Sequence, residues 1–311
     1  MSDYRSPLLD LPGAVAGDGV DAGVAAHYGS FNGEQRRLEA GDGFVDLSHR
    51  DVLRVTGPDR LTYLHSITSQ YFEGLAPGVP TWALILSPQG HVEHAFHGVD
   101  DGETFTAHTE PGSGEALVGF LDRMKFMMRV EVTPADDLAV TWRPGGFDVV
   151  PRDRLAAYAE AAGPAAGLWA YDALRIARGE PRLGFDTDHR TIPNEVGWIG
   201  PAVHLDKGCY RGQETVARVH TLGRPPRRLT LLHLDGSDNR LPVRGSELKD
   251  GDRVVGVVGS SARHHELGPI ALALVKRNVA LDVTLDADGL PAAQEVVVDP
   301  EVGLHVRPRL G

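Results

Sequence analysis

Dense hydrophobic patterning begins near Gly43. "DVLRVTG" (Asp51–Gly57) alternates apolar and polar positions like a half-buried strand, and Pro58 after it suits the first position of a helix. Leu61, Leu64 and Thr68 then recur at helical spacing. "TWALILS" (Thr81–Ser87) is an almost continuous apolar strand, "SPQG" (Ser87–Gly90) a turn, and "HVEHAFHGV" (His91–Val99) the returning strand of a hairpin. "TFTAHT" (Thr104–Thr109) predicts a third strand. Ser113 predicts the cap of a helix through "GEALVGFLDRMKFMM", with Leu117, Leu121, Met124 and Met128 as its apolar stripe. "RVEVT" and "LAVTW" return to strand. Two helical stretches fill Arg152–Ala177, and Gly179 with Pro181 stops the second.

After "LGRPPRR" (Leu222–Arg228) the pattern changes. "RLTLLHL", "RVVGVVGS", "PIALALV", "VALDVTL" and "QEVVVD" are short strands divided by Gly, Asp and Pro, which predicts an all-β terminal domain, a small barrel starting near Thr221. Upstream, helices set among antiparallel hairpins make the fold class α+β, not parallel α/β. Residues 1–30 are rich in Gly, Ala and Asp and predict a loosely ordered arm.

Composition narrows the function more than the fold. The net charge of −12 disfavours broad binding to nucleic acid or an anionic membrane, so an anionic ligand would need local Arg and Lys. No apolar run reaches the roughly 18 residues of a membrane-spanning helix, and "MSDYRSPLLDLPG" lacks the form of a secretory signal. A single cysteine excludes an internal disulfide and fits the cytosol. The expectation is a cytoplasmic protein.

That cysteine, Cys209, lies in "DKGCYRGQE" (Asp206–Glu214) between Lys207 and Arg211, with Gly208 and Gly212 nearby. Buried, inert cysteine is common. Against that reading, strand geometry would put both cations on the face of the thiol, where they would favour the thiolate. One cysteine cannot hold an iron–sulfur cluster unaided. His91, Glu93 and His97 alternate onto one strand face with His94 opposite, which reads as a solvated sheet surface and not a metal site. His264–His265 reads as loop polarity, and no metal site is expected. No Walker, dinucleotide or Ser-His-Asp pattern is present. "RIARGEPRLGFDTDHRTIPNEVGW" (Arg175–Trp198) reads either as a capped helix with a solvated loop or as a binding loop. Within it, Glu195 is a carboxylate suited to the paired donors of a heteroaromatic amide–amine edge, with Trp198 and Tyr210 as candidate aromatic faces.

Taken together, these motifs resemble the folate-binding YgfZ proteins, relatives of the glycine-cleavage T-protein (aminomethyltransferase), from about Tyr28 onward. "KGCYRGQE" (Lys207–Glu214) is similar to the Lys-Gly-Cys-Tyr-x-Gly-Gln-Glu signature of that branch; aminomethyltransferases lack its cysteine. "VTGPDRLTYLHSITSQ" (Val55–Gln70), "RIARGEPRLGFD" (Arg175–Asp186) and "GRPPRRL" (Gly223–Leu229) resemble three further family segments. The resemblance implies a three-lobed fold. A first domain would be split over 31–50 and 146–221, a ferredoxin-like domain would cover 51–145, and a barrel 222–311. It implies tetrahydrofolate as cofactor, held by Glu195 with Arg227 or Arg228, and with Trp198, Tyr210 and Lys207 beside it. It also implies Cys209 as a reactive thiol, and iron–sulfur enzymes, tRNA-modifying ones included, or their assembly proteins as partners. Aminomethyltransferases carry an Asp-Asp pair where this chain has Glu93 and His94, and a family asparagine falls on His108. Glu93 is a catalytic residue only if the chain is instead a folate-dependent aminomethyltransferase.

Overall fold

The structure is a computed structural model that describes residues 4–305, so the first three residues of the expected arm and the last six of the expected barrel domain lie outside the described residues. Contacts divide the chain into two compact units. One comprises 1–65, 72–82 and 96–174, and the other 66–71, 83–95 and 175–311. This division is coarser than the domain boundaries expected from the sequence. The chain changes unit inside the Thr81–Leu86/Val92–Asp100 hairpin, whose turn end belongs to the second.

The fold is α+β, as the patterning predicts. A five-stranded sheet runs in the spatial order Thr81–Leu86, Val92–Asp100, Thr104–Thr109, Asp51–Thr56, Glu131–Pro134. A four-stranded sheet carries Gly146–Pro151, Leu138–Arg143, Phe44–Asp46 and Ala165–Ala166. One core of the first unit gathers Leu38, Val45, Leu47, Trp142, Tyr171 and Leu174. In the second unit six strands close a barrel, in the order Arg227–Leu234, Gly268–Lys276, Arg253–His264, Glu247–Asp250, Leu285–Ala287, Leu290–Val296. Its interior is filled by small and branched side chains, among them Leu232, Leu248, Val258, Ala273 and Leu285.

Four local expectations are corrected. Residues 4–27 are not loose: Val24, Ala25 and Ala26 are buried, and the Ser6 hydroxyl donates to Asp46, so small side chains here permit close packing. The helix after Pro58 starts at Arg60. The helix Gly114–Met124 is not capped by Ser113; Asp51 accepts from the Gly114 N–H at 2.7 Å instead. Its buried stripe ends at Leu121, and Met124 is exposed where the helix stops. Among the described residues no helix is long and apolar enough to cross a membrane.

Candidate functional site

The cysteine segment is not a strand. Residues 204–212 run as loop and turn into the helix Gln213–Leu222, so the expected alternation of Lys207, Cys209 and Arg211 on one face does not form. Lys207 is buried; its ammonium donates to the Thr68 carbonyl and lies 5.2 Å from the centre of the Tyr210 ring. Thr68 is itself held in place, since the neighbouring Ser69 hydroxyl donates to the Ala202 carbonyl at 2.6 Å and the His204 N–H to the Ser69 carbonyl at 2.9 Å. Arg211 is paired with Glu93 at 2.9 Å. Both neighbouring cations thus have other partners, and the Cys209 side chain is exposed. Burial pushes the Tyr210 hydroxyl up to about 12.

The flanking glycines do different things. Gly208 has open space around it, whereas Gly212 has φ +80° and a Cβ there would lie 2.4 Å from the Ser87 carbonyl. Gly212 therefore lets the Ser87–Gly90 turn seat on the start of the helix, a close approach to protein and not to a ligand. Glu93, on the strand after that turn, reaches Arg211 as a result.

Glu195 closes a short 3-10 turn, Pro193–Glu195, that packs against both the Gln213–Leu222 helix and the first barrel strand. Its side chain is 1% exposed. Oε1 accepts from Arg227 Nε at 2.8 Å, and Oε2 from Arg227 NH2 at 2.8 Å and from the Ile192 N–H at 3.1 Å. Strand alternation decides which of the paired arginines takes part. Arg227 shares its face with Leu229 and points outward, whereas Arg228 shares the inner face with Leu232 and bonds the Lys276 carbonyl at 3.0 Å and Gln294 at 2.8 Å. The same guanidinium of Arg227 also binds Asp188, through NH1 to Oδ2 at 2.5 Å and NH2 to Oδ1 at 3.2 Å. Burial opposes ionisation of Asp188, but the Arg227 hydrogen bonds, the Arg190 N–H and the Arg227 charge hold it well below the usual carboxylate range. Trp198 is buried in the core behind the turn and not open as an aromatic face. A cleft of about 510 Å³ runs along the helix, lined by Gln213, Glu214, Ala217, Arg218, Thr221 and Leu222, none of them an expected site residue.

The charges of "RIARGEPRLGFD" divide: Arg178 and Glu180 are exposed, whereas Arg175, Arg182 and Asp186 are buried. Arg175 and Asp186 lie buried at its two ends and pair at 2.9 Å. Asp186 also accepts from the Arg182 N–H at 2.8 Å, the Ser260 N–H at 2.6 Å and the Ser260 hydroxyl at 3.0 Å. The motif thereby fastens Arg175 and the loop that follows it to the barrel strand Arg253–His264.

Sequence reasoning missed a cluster in the first unit. His97, expected on a solvated face, stacks on Trp82 (centroids 4.8 Å apart) and on His108 (5.6 Å), and Phe147 lies 4.5 Å from His108. Arg50 approaches His108 Nδ1 at 3.5 Å and pairs with Glu110 at 3.1 Å. Enclosure, and then the Arg50 charge, push His97 down to about 3 and His108 well below its ordinary value, so both rings are neutral near pH 7. The readable signal is that His97 and His108 are cross-strand partners once the strands pair.

Fold and site can now be set beside known proteins. No family model matches the chain. In three dimensions it matches the glycine cleavage system aminomethyltransferase T of Bartonella henselae with a TM-score of 0.78 and 19% identity, over 97% of this chain and 98% of that one. The fold is that of the T-protein. In sequence the chain is 27% identical to an aminomethyltransferase of Streptomyces avermitilis, covering 93% of this chain and 94% of that protein. A protein of Arabidopsis thaliana named as a chloroplastic transferase is 23% identical, over 89% of this chain and 74% of its own length.

Proposed function

We propose that this protein binds a reduced folate at Glu195 and supports iron–sulfur enzymes, tRNA-modifying ones included, or their assembly proteins, as YgfZ-type proteins do, with Cys209 as its working thiol. The observation that carries the reading is the exposure of Cys209 on the loop entering the Gln213–Leu222 helix, which packs on the turn that bears Glu195. The fit to a folate rests on Glu195. Its two oxygens already accept a planar two-donor edge from Arg227, at 2.8 Å each, and an amino-pyrimidinone ring presents the same kind of edge. When bound, a reduced folate supplies a pair of ring and side-chain amines able to carry one carbon. The residue that would hold it is Glu195, with Arg227, which now covers that carboxylate, beside it. The Tyr210 ring beside Lys207 would contribute an apolar surface, and the buried Trp198 would support the turn from behind. Arg228 would serve the barrel wall. A single cysteine fits a reducing compartment such as the cytoplasm.

Calorimetric titration with tetrahydrofolate tests the first half: wild type binds, and Glu195→Ala does not. The second half is tested in cells. Cys209→Ala keeps the fold but lowers the activity of iron–sulfur enzymes under oxidative stress; a variant that behaves like wild type removes the thiol role.

A second reading, a folate-dependent aminomethyltransferase, is favoured by the names of the relatives and by the Glu93–Arg211 pair, which fixes a carboxylate beside the cysteine segment. Release of a one-carbon unit from an amine substrate by the purified protein, lost in Glu93→Gln, would support it. Unchanged turnover in that variant would remove its proposed catalytic group.

A further inference from the structure

We infer that Arg227 is a latch already seated on the Glu195 carboxylate, and that Asp188 is the anchor onto which it withdraws when a ligand takes its place. The inference rests on the folate reading and adds a positioning residue, Asp188, to it.

The geometry lies in how one guanidinium is shared. Arg227 presents its side edge, Nε and NH2, to the two oxygens of Glu195, and its end edge, NH1 and NH2, to the two oxygens of Asp188. Among the described residues Glu195 has one other donor, the Ile192 N–H, its side chain is 1% exposed, and its chain neighbours Ile192, Asn194, Val196 and Trp198 are buried. The covered edge is therefore the one through which a ligand can reach it. Arg227 is 23% exposed and Asp188 43%, so the solvent side of the cluster belongs to the arginine and its outer partner. Asp188 does not depend on Arg227 for its position. Its Oδ1 accepts from the Arg190 N–H at 2.9 Å and the Thr191 hydroxyl at 3.0 Å, and its own N–H donates to Thr191 at 2.9 Å.

Release keeps the cation paired and leaves the Glu195 charge to be met by the hydrogen-bond donors of the ligand. When the side edge leaves Glu195, the end edge keeps its pairing with Asp188, and no cation is left without a counter-charge. The freed Glu195 oxygens accept two adjacent N–H donors. The ligand class is thus a planar heterocycle with neighbouring ring N–H and exocyclic amine donors, the 2-amino-4-oxo-pyrimidine edge. An anionic edge would meet Glu195 as like charge and would not displace the arginine.

Because the latch competes with the ligand, the apparent affinity equals the intrinsic one scaled by the open fraction. Titration calorimetry of the full chain with tetrahydrofolate, on wild type, Arg227→Ala, Asp188→Asn and the double variant, tests this. Arg227→Ala is expected to bind at least as tightly as wild type, on the order of tenfold more tightly if the latch is closed in about nine molecules of ten. Asp188→Asn is expected to bind on the order of tenfold more weakly, because the arginine loses its alternative seat. The double variant should match Arg227→Ala, since an anchor without a latch has no effect. Weaker binding by Arg227→Ala at an unchanged melting temperature overturns the latch, and so does a weakening by Asp188→Asn that persists in the double variant. No binding by wild type overturns the latch and the folate reading together, whereas wild-type binding with the wrong order of variants overturns the latch alone. If Arg227→Ala does not fold, stopped-flow association with wild type decides: an observed rate that levels off with rising tetrahydrofolate supports an opening step, and a strictly linear rate overturns it.

Discussion

Arg175 with Asp186 and Arg227 with Glu195 are made of the same two functional groups, both in the second unit, and each carboxylate is buried. They differ in what else each carboxylate holds and in where the arginine ends. Asp186 takes two backbone N–H groups and a serine hydroxyl besides Arg175, and the side chains of the pair are 0% and 4% exposed. Glu195 takes one backbone N–H besides Arg227, and that arginine reaches an outer carboxylate, Asp188. A carboxylate saturated by fixed donors and sealed from water can only hold structure together. One whose main donor is a single mobile side chain with a second partner can exchange it. Ion-pair chemistry alone does not separate a fastening from a site; the remaining lone pairs and the path to solvent do.

Four experiments break or sharpen this contrast. Arg175→Met leaves Asp186 buried without its counter-charge and should cost about 3–5 kcal/mol in urea unfolding. A loss no larger than that of Arg227→Ala, where water can enter from the exposed side, would erase the distinction. Glu195→Gln should weaken tetrahydrofolate binding by roughly 10–100-fold, the scale of one or two charge-assisted hydrogen bonds, with a smaller loss of stability than Arg175→Met. Unchanged affinity by calorimetry would mean that the open pair is as structural as the sealed one. Gly212→Ala, forced into positive φ and against the Ser87 carbonyl, should cost about 1–3 kcal/mol without changing the folate Kd, because that glycine serves packing. A larger effect on Kd than on unfolding would move Gly212 into the site.

The smallest effect is the pH dependence of the anchor. The folded-state pKa of Asp188 lies below that of an unfolded aspartate, about 3.9, so its contribution is full above that value and is lost as pH falls through the folded one. The stability difference between wild type and Asp188→Asn should stay flat from neutral pH down to about 5 and shrink below it. Since Asp188 is well exposed, solvent screening keeps the difference to about 1 kcal/mol or less. A difference that grows on acidification would contradict the assigned pairing.

Much of the fold was legible because it follows from local periodicity. The Thr81–Ser87 strand with its return, the helix stopped at Gly179 and the β-rich terminus from Arg227 all follow from it. The failures have physical reasons. Small residues in the N-terminal segment gave no apolar periodicity, yet small side chains are what let Val24–Ala26 pack closely. Lys207 and Arg211 were read at strand spacing, but Gly212 turns the chain into a helix there and each cation found a distant partner, Thr68 and Glu93. His97 was assigned to a solvated face because the residues that alternate with it, His91 and Glu93, are polar, whereas its neighbours in space are Trp82 and His108.

By itself the sequence determined the α+β class, the C-terminal barrel and the candidates Cys209, Glu195 and the Arg227–Arg228 pair, since periodicity and residue type are local properties. Only the tertiary structure decided that Arg227 faces Glu195 while Arg228 faces the barrel wall, that Asp188 shares the first of these arginines, and that Cys209 is exposed while Lys207 and Arg211 take other partners. Those outcomes depend on which lone pairs are filled by groups far away in the chain, and hydrogen-bond satisfaction is settled only when distant segments meet.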